Sequence, residues 1–194
     1  MGNTTDLRIL KTRIAIKTAF LQLMDEKAFE KITISDITQK AMINRGTFYS
    51  HYKDKPDLVD QIENEILDEV SASISFVTED TVARAYKENL PLPHLIPVLS
   101  YIEEHPRFFV LAAENSGGTH LLEKISDKYF RKLAHILKCP NDKWISYRKT
   151  VAVSVLSSIL NQWINGGMKE PKEELAAWLT RLMFANMESV INPA

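Results

Sequence analysis

The segment from Thr33 to Lys55 holds the densest group of side chains in this chain that could bind phosphates or the edges of nucleic-acid bases. Within two helical turns it carries Arg45, Thr47, Tyr49 and His51. An arginine can bond both major-groove acceptors of guanine, and hydroxyl, phenol and imidazole groups can donate to phosphate oxygens. This chemistry indicates a surface that contacts double-stranded DNA.

Two short helices with a tight turn between them are predicted to position these groups. Thr33, with Asp36 three residues later, has the spacing of a capping box and begins a helix that extends to about Ala41. Asn44 is a good N-cap for a further short helix through about His51. This is the layout of a helix-turn-helix, in which the second helix lies in the major groove. The apolar residues expected between the helices are Ile34, Ile37, Ala41, Ile43, Phe48 and Tyr52.

Flanking helices are predicted on both sides of this segment. A first helix of about Leu7 to Asp25 has an apolar stripe at three- and four-residue spacing, formed by Ile16, Ala19, Phe20, Leu23 and Met24. A fourth helix begins near Lys55 and extends to about Ser75. At a helix start, both the Lys55 side chain and free backbone N–H groups favour a phosphate.

The charge of the chain is unevenly distributed. Residues 1–55 contain ten Lys and Arg against six Asp and Glu, whereas the remaining residues contain fourteen against nineteen, for a net charge of −1 overall. Phosphate contacts need positive charge only where they are made. The split therefore fits a basic DNA-binding module on a mildly acidic body, although a split of this size also arises by chance.

The composition is that of an ordinary globular protein of 194 residues with 45% apolar residues, enough for one large domain or two smaller ones. The single cysteine, Cys139, excludes an intramolecular disulfide and fits a reducing compartment. The sequence shows no signal peptide and no run long enough to span a membrane. We therefore expect a cytoplasmic protein without membrane contact.

The rest of the chain also has helical periodicity, interrupted by proline and glycine at intervals. The predicted fold is all-α. It consists of an N-terminal three-helix helix-turn-helix domain (1–55), a linking helix (55–75) and a larger C-terminal helical dimerisation and effector domain (76–194).

Residues 10–65 resemble the N-terminal domain of the tetracycline-repressor (TetR) family of bacterial transcription regulators. The family pattern is a long first helix with an aromatic residue at its end, then T-x-x-x-I/L-x-x-x-A, then G-T-x-Y-x-H/Y-F/Y-x-x-K. The residues that carry the resemblance are Phe20, Phe29, Thr33, Ile37, Ala41, Gly46, Thr47, Tyr49, His51, Tyr52, Lys55 and Leu58. The turn commonly holds glycine in the family, whereas this chain has Met42 there.

The resemblance implies a role for each matching residue. Those implied to face bases are Arg45, Gly46 and Tyr49, and those implied to hold phosphates are Thr33, Thr47, His51 and Lys55. Plainer roles stay open: Tyr49 in the core, His51 on the general surface, Thr33 as a helix cap. The resemblance also implies a homodimer that binds a palindromic operator.

In the C-terminal part, the runs Tyr101–Phe109 and Trp163–Met168 resemble one subgroup of the family. The last two long helices are the predicted dimer pair, which would form a four-helix bundle across a two-fold axis. The residues expected at that interface are Val151, Val155, Ile159, Trp163, Leu175, Trp178, Leu179 and Leu182. The alternative is that these stripes are buried within one chain.

An effector pocket would need an apolar cavity with a few polar groups. The candidates for its lining are Tyr101, Phe108, Phe109, His120, Tyr129, Trp144 and Tyr147. Each of them could equally be a plain core residue. The histidines are widely spaced and have no cysteine or carboxylate cluster beside them, so we expect no metal site and no cofactor.

Three functions are weighed against one another. The first is a homodimeric regulator, in most cases a repressor, that a small-molecule effector releases from DNA by changing the separation of the two DNA-reading helices. The second is a DNA-binding activator or co-regulator that answers to a protein partner instead. The third is an enzyme, which we do not expect because the serine, histidine and aspartate residues stand in no catalytic motif.

Overall fold

The computed structural model describes residues 3–114, 121–139 and 141–191, and in these ranges it contains helices and no strand. The all-α prediction is therefore confirmed. The helices are α1 (Asn3–Glu26), α2 (Ile34–Lys40), α3 (Arg45–Tyr49), α4 (Lys55–Ser75), α5 (Glu79–Glu88), α6 (Leu95–Glu104), α7 (Pro106–Glu114), α8 (Leu121–Ile136), α9 (Ile145–Asn165) and α10 (Lys172–Ile191), with a short 3₁₀ turn at Phe29–Lys31 between α1 and α2.

The chain divides into two compact units, Met1–Ile66 and Leu67–Ala194. The division falls inside α4, the helix that the sequence analysis treats as the link between two domains. We call the two parts the front unit and the back unit.

The front unit is built around one face of α1. The predicted stripe of Ile16, Ala19, Phe20, Leu23 and Met24 is buried. The Phe20 ring meets the Phe29 ring edge to face, with their centroids 6.3 Å apart, and this contact packs the 3₁₀ turn against α1.

The helix-turn-helix packs through three residues that are almost fully buried, Ile37, Phe48 and Tyr52. The Phe48 and Tyr52 rings lie 5.6 Å apart. The other three residues expected in this interior, Ile34, Ala41 and Ile43, are only half-buried. Helix α3 also ends at Tyr49, two residues before the predicted His51, because the chain turns there toward the start of α4.

Ion pairs join α1 to α4. The Arg13 guanidinium donates to Gln61 Oε1 and Glu65 Oε1, both at 3.0 Å, and Lys17 Nζ donates to Glu65 Oε2 at 3.2 Å. These contacts hold the beginning of α4 against the helix that supports α2 and α3.

Apolar packing among α5 to α10 builds the back unit. Its most deeply buried large side chains include Phe108, Phe109 and Tyr129. One buried hydrogen bond, from the Leu92 N–H to Thr180 Oγ1 at 3.0 Å, connects the chain before α6 to α10. Within the described residues, no helix combines the length and apolar character needed to cross a bilayer, and no group of three metal-ligating side chains gathers.

Candidate nucleic-acid interface

Helix α3 begins at a side-chain cap. Asn44 Oδ1 accepts from the Thr47 N–H at 2.7 Å and from the Thr47 hydroxyl at 3.0 Å. A Cβ on Gly46 would lie 3.3 Å from the same Asn44 oxygen. Glycine at this position therefore leaves room for the cap, in addition to the close approach to DNA that the resemblance implies.

Arg45 and Tyr49 lie four residues apart and share one exposed face of α3. Tyr49 is 55% exposed, and its ring stands edge-on against Phe48 at 5.6 Å. The phenol is thus held at the surface and does not enter the core. Arg45 makes no hydrogen bond or ion pair with any described residue, so its guanidinium is available to an outside partner.

The two threonines expected to hold phosphates already have partners within the chain. The Thr33 hydroxyl donates to Asp36 Oδ2 at 2.7 Å and accepts from the Asp36 N–H, so the predicted capping box is confirmed. The Lys27 ammonium and Thr33 together hold the pKa of Asp36 well below its usual range. The Thr47 hydroxyl donates to the α3 cap, as described above.

Lys55 differs most from the expectation of a phosphate-binding side chain. Its ammonium donates to the carbonyl oxygens of Phe29 at 2.6 Å and Ile32 at 2.9 Å, and lies 3.9 Å from the centroid of the Phe29 ring. Burial lowers the pKa of Lys55. The side chain therefore ties the start of α4 to the 3₁₀ turn, in addition to the bond that the Phe29 carbonyl accepts from the Ile32 N–H at 3.1 Å.

Many of the positively charged side chains of the front unit bond to acceptors within that unit. Of the ten Lys and Arg in residues 1–55, five bond to acceptors within the front unit: Arg13, Lys17, Lys27, Lys40 and Lys55. His51, expected to hold a phosphate, is half-buried with its ring 6.3 Å from that of Tyr52. The basic surplus read from the sequence therefore overstates the charge that can face DNA.

Met42 occupies the turn between α2 and α3 with φ +54°, in the left-handed region that favours glycine. Its side chain is 93% exposed. The chain thus keeps the turn without the glycine that is common there, at a cost in backbone strain.

The aromatic residues expected to line an effector pocket fall into two groups. Phe108, Phe109 and Tyr129 are packed core residues, and Tyr129 OH donates to the His94 carbonyl at 3.1 Å. Tyr101 packs edge-on against Phe109 in the same cluster. These four side chains pack against neighbouring rings and backbone, and they are not part of the lining of the cavity described next. His120 lies outside the described residues.

Trp144 and Tyr147, by contrast, line a cavity of about 340 Å³ between α8, α9 and α10. Its α8 wall includes Ser126, Phe130 and Leu133, which the sequence analysis missed. Their spacing of four and three residues marks one helical face, but that signal does not distinguish a cavity wall from packed core.

The residues expected at a dimer interface also occupy different environments. Trp163, Leu175 and Leu179 are buried within one chain, and Trp163 Nε1 donates to the Glu170 carbonyl. Three others, Val151, Val155 and Leu182, line the cavity. Ile159 and Trp178 line an open groove near the α9–α10 connection together with Trp163 and Leu175, and Trp178 is 45% exposed there.

Comparison with known proteins assigns the chain to a family. The family profile described as bacterial regulatory proteins of the tetR family matches residues 16–62. A second profile, described as a transcriptional regulator C-terminal region, matches residues 89–185, which is half of the chain. The chain belongs to the TetR family of transcriptional regulators.

Individual relatives of this TetR-family chain match it over different spans. The uncharacterized HTH-type transcriptional regulator YxbF of Bacillus subtilis (strain 168) is 49% identical over 55 residues, which cover 28% of this chain and 14% of YxbF. The HTH-type dhaKLM operon transcriptional activator DhaS of Lactococcus lactis subsp. lactis (strain IL1403) is 33% identical over 119 residues, which cover 59% of this chain and 60% of DhaS. This chain therefore spans less than two thirds of either relative.

The fold of this TetR-family regulator is also that of a solved structure. The dihydroxyacetone kinase operon activator DhaS superposes with a TM-score of 0.71 at 19% sequence identity, covering 93% of this chain and 98% of that one. The similarity extends over the front and back units alike, and at this identity it establishes the fold alone.

Proposed function

We propose that this TetR-family regulator acts as a homodimer that binds a palindromic double-stranded operator, with α3 of each copy in the major groove. The observation that carries the proposal is the pair of exposed side chains, Arg45 and Tyr49, which lie one helical turn apart on α3 while Phe48 is buried. Two such helices related by a two-fold axis would read two half-sites about one helical turn apart. Because a bacterial transcription regulator binds chromosomal DNA, we propose that the protein is cytoplasmic.

Within each half-site, Arg45 would bond the two acceptors of guanine, and Tyr49 would contact a neighbouring base edge. Gly46 would let the backbone approach the groove. His51 would donate to a phosphate oxygen, and Thr33 and Thr47 would do so by turning their hydroxyls away from Asp36 and Asn44. We propose that Lys55 acts indirectly, since its ammonium is already bonded to two backbone carbonyls.

The face proposed for dimerisation is the part of the α9–α10 pair that carries Ile159 and Trp178. Trp178 is a large exposed aromatic side chain, the residue type enriched at the centre of interfaces. The same groove contains Glu174 and Arg181, whose opposite charges suit a two-fold contact in which the same patch meets itself.

We further propose that the regulator represses transcription and that a small-molecule effector relieves its operator binding. The cavity between α8, α9 and α10 supports this proposal, because it has the size and apolar walls of a ligand site. The alternative is an activator or co-regulator controlled by a protein partner. The name of DhaS as an operon activator supports the activator part of that alternative, since DhaS is a relative in both sequence and fold.

The DNA-binding proposal is tested by selecting operator sequences from random duplex DNA with the purified protein. The expected result is a palindromic consensus with two half-sites. Recovery of sequences without two-fold symmetry, or of no consensus at all, would contradict the proposal.

The dimer is tested by sedimentation of Trp178→Asp, which places a charge in the proposed contact and should yield monomers. Phe76→Asp is the matched control, because Phe76 is an exposed aromatic residue outside α9 and α10, and it should remain dimeric. A Trp178→Asp protein that sediments as a dimer would remove Trp178 from the interface.

A further inference from the structure

The cavity of about 340 Å³ in the back unit has walls that are almost wholly apolar. Helix α8 contributes Phe130 and Leu133, α9 contributes Tyr147 and Val151, and Met183 from α10 completes the enclosure. Its volume lies at the lower end of the range for small-molecule sites. A ligand entering it would be held mainly by the loss of apolar surface to water.

Two polar side chains at this cavity, Ser126 and Arg148, bond to other groups of the chain. Ser126 Oγ donates to the Leu122 carbonyl at 2.7 Å. The guanidinium of Arg148 bonds Asp142 Oδ1 at 2.7 Å and Oδ2 at 3.4 Å, so its charge is balanced by a carboxylate. A charged ligand inside the cavity would have to lose its hydration and would find the charge of Arg148 already balanced by Asp142, which costs free energy.

Cys139 contributes a thiol to the cavity wall. Burial raises the pKa of this thiol, although Arg148 acts in the opposite direction. The thiol is therefore protonated at neutral pH and presents a small apolar surface, not a thiolate. This chemistry favours reversible binding over covalent capture.

The mouth of the cavity is marked by its most exposed lining residues, Trp144, Tyr147 and Val151, which are 53%, 65% and 57% exposed. The Trp144 and Tyr147 rings are 5.7 Å apart and tilted by 55°, and the Lys143 ammonium lies 5.0 Å from the Trp144 ring centroid. Aromatic rings at this spacing offer edges and faces to an aromatic guest.

We infer that this cavity binds one uncharged, hydrophobic molecule with an aromatic ring, reversibly and through its apolar walls. The inference rests on the proposed function, in which that molecule is the effector. It narrows the effector to a chemical class: neutral and apolar, in preference to a carboxylate, a phosphate or a sugar.

Two probes of matched shape test the class of ligand. N-phenyl-1-naphthylamine is neutral, and 1-anilinonaphthalene-8-sulfonate has the same ring system with an added sulfonate. Titrated into the full-length protein, the neutral probe should bind saturably with one molecule per chain, and the sulfonate should bind more weakly by about tenfold or more. Equal affinity for both probes would overturn the preference for an uncharged ligand.

Two variants test the location. Ala152→Phe fills the cavity and Val151→Trp blocks its mouth, so each should weaken binding of the neutral probe by about tenfold or more. Ala83→Phe, on the exposed surface of α5, is the matched control and should bind as the unmodified protein does. Because Val151 is more than half exposed, its variant tests the site even if Ala152→Phe fails to fold.

Unchanged probe binding in both variants would overturn the inference. A variant that becomes monomeric while its probe binding stays unchanged would also overturn it, because the cavity would then be part of the contact between two copies. The effector role is tested separately by operator affinity with and without bound neutral probe. Cavity binding with unchanged operator affinity would support the site and count against effector control.

Discussion

The front and back units hold their helices in different ways. In the front unit, α2 and α3 have seven and five residues and are fixed at their ends by the capping box of Thr33 and the Asn44 cap. In the back unit, the helices have nine to twenty-one residues and pack through apolar faces such as those of Phe108 and Tyr129. A helix of five residues cannot be stable alone, so it depends on caps and ion pairs to a degree that long helices do not.

This difference changes how polar residues in the front unit should be interpreted. A threonine or lysine near the DNA-reading helix is first a structural group, and only what remains unbonded is available to DNA. Thr33, Thr47 and Lys55 have internal partners, whereas Arg45 and Tyr49 remain exposed. The comparison predicts that the front unit responds to removal of polar groups and the back unit to removal of side-chain volume.

The largest effect is expected from Phe108→Ala. Removing a ring that is 1% exposed should lower the free energy of unfolding by about 3–5 kcal/mol, through reduced apolar burial and the cavity left behind. The three tryptophans all lie in the back unit, so their fluorescence during urea unfolding follows that unit alone. The control is Phe76→Ala, 81% exposed, which should change stability by less than about 0.5 kcal/mol. Equal losses in the two variants would contradict packing as the main source of stability.

The next effect is a pH dependence of the free energy of unfolding, which we expect from His94. Its ring stacks on Tyr129, and both imidazole nitrogens are buried without a hydrogen-bond partner among the described residues. Burial lowers the pKa of His94 from 6.5 to about 4. Between these values the unfolded chain binds a proton that the folded chain does not. Stability is therefore full above pH 6.5 and should fall by about 3 kcal/mol as the pH drops toward 4.

Replacing His94 by Phe keeps a ring for stacking and should remove this part of the pH dependence, as measured by urea unfolding at several pH values. His135→Phe, an exposed histidine of α8, should retain it. An unchanged pH profile for His94→Phe would show that the buried imidazole does not titrate on unfolding.

Lys55→Met tests whether a polar side chain of the front unit contributes to stability and not to phosphate binding. It removes the ammonium donor from the Ile32 carbonyl and one of the two donors to the Phe29 carbonyl, and should cost about 1–3 kcal/mol of stability. Circular dichroism should therefore show a front transition at lower urea concentration. The salt dependence of operator binding should stay unchanged, because the ammonium holds no phosphate.

Lys53→Met, on an exposed neighbour, should lower the slope of log affinity against log salt by about 0.9 for each phosphate that Lys53 neutralises. A slope that falls for Lys55→Met would restore the direct phosphate role.

The smallest effect is expected from Met42→Gly. Glycine relieves the left-handed strain at φ +54° but gains backbone freedom in the unfolded chain, so the net gain should be about 0.5–1 kcal/mol. Circular dichroism during urea unfolding measures it in the front transition. A lower stability would mean that the exposed Met42 side chain makes a contact of its own.

The front unit was largely predictable because its signals are local. The spacing of Thr33 and Asp36 defines a cap, and the spacing of Phe48 and Tyr52 defines a buried face, so both features were confirmed. The acceptors of Lys55 were not predictable, since they lie more than twenty residues away and are backbone carbonyls, which any residue has.

In the back unit, the sequence pattern did not distinguish core residues from cavity-lining or exposed ones. Helical periodicity predicted that this unit is helical, but it marks apolar faces without showing what covers them. Phe108 and Trp144 look alike as aromatic residues on helical segments, yet one is 1% exposed and the other 53%. Only the packing of α8, α9 and α10 together separates core, cavity and exposed groove.

The central claim is that α3 reads bases through Arg45. The most direct test is fluorescence anisotropy of Arg45→Ala against the selected operator and all its single-base-pair variants. We expect a loss of about 1–3 kcal/mol in binding free energy on the operator, with discrimination abolished at one base pair per half-site and kept at the others. An equal loss on every sequence would contradict base reading by Arg45 and leave it a phosphate contact.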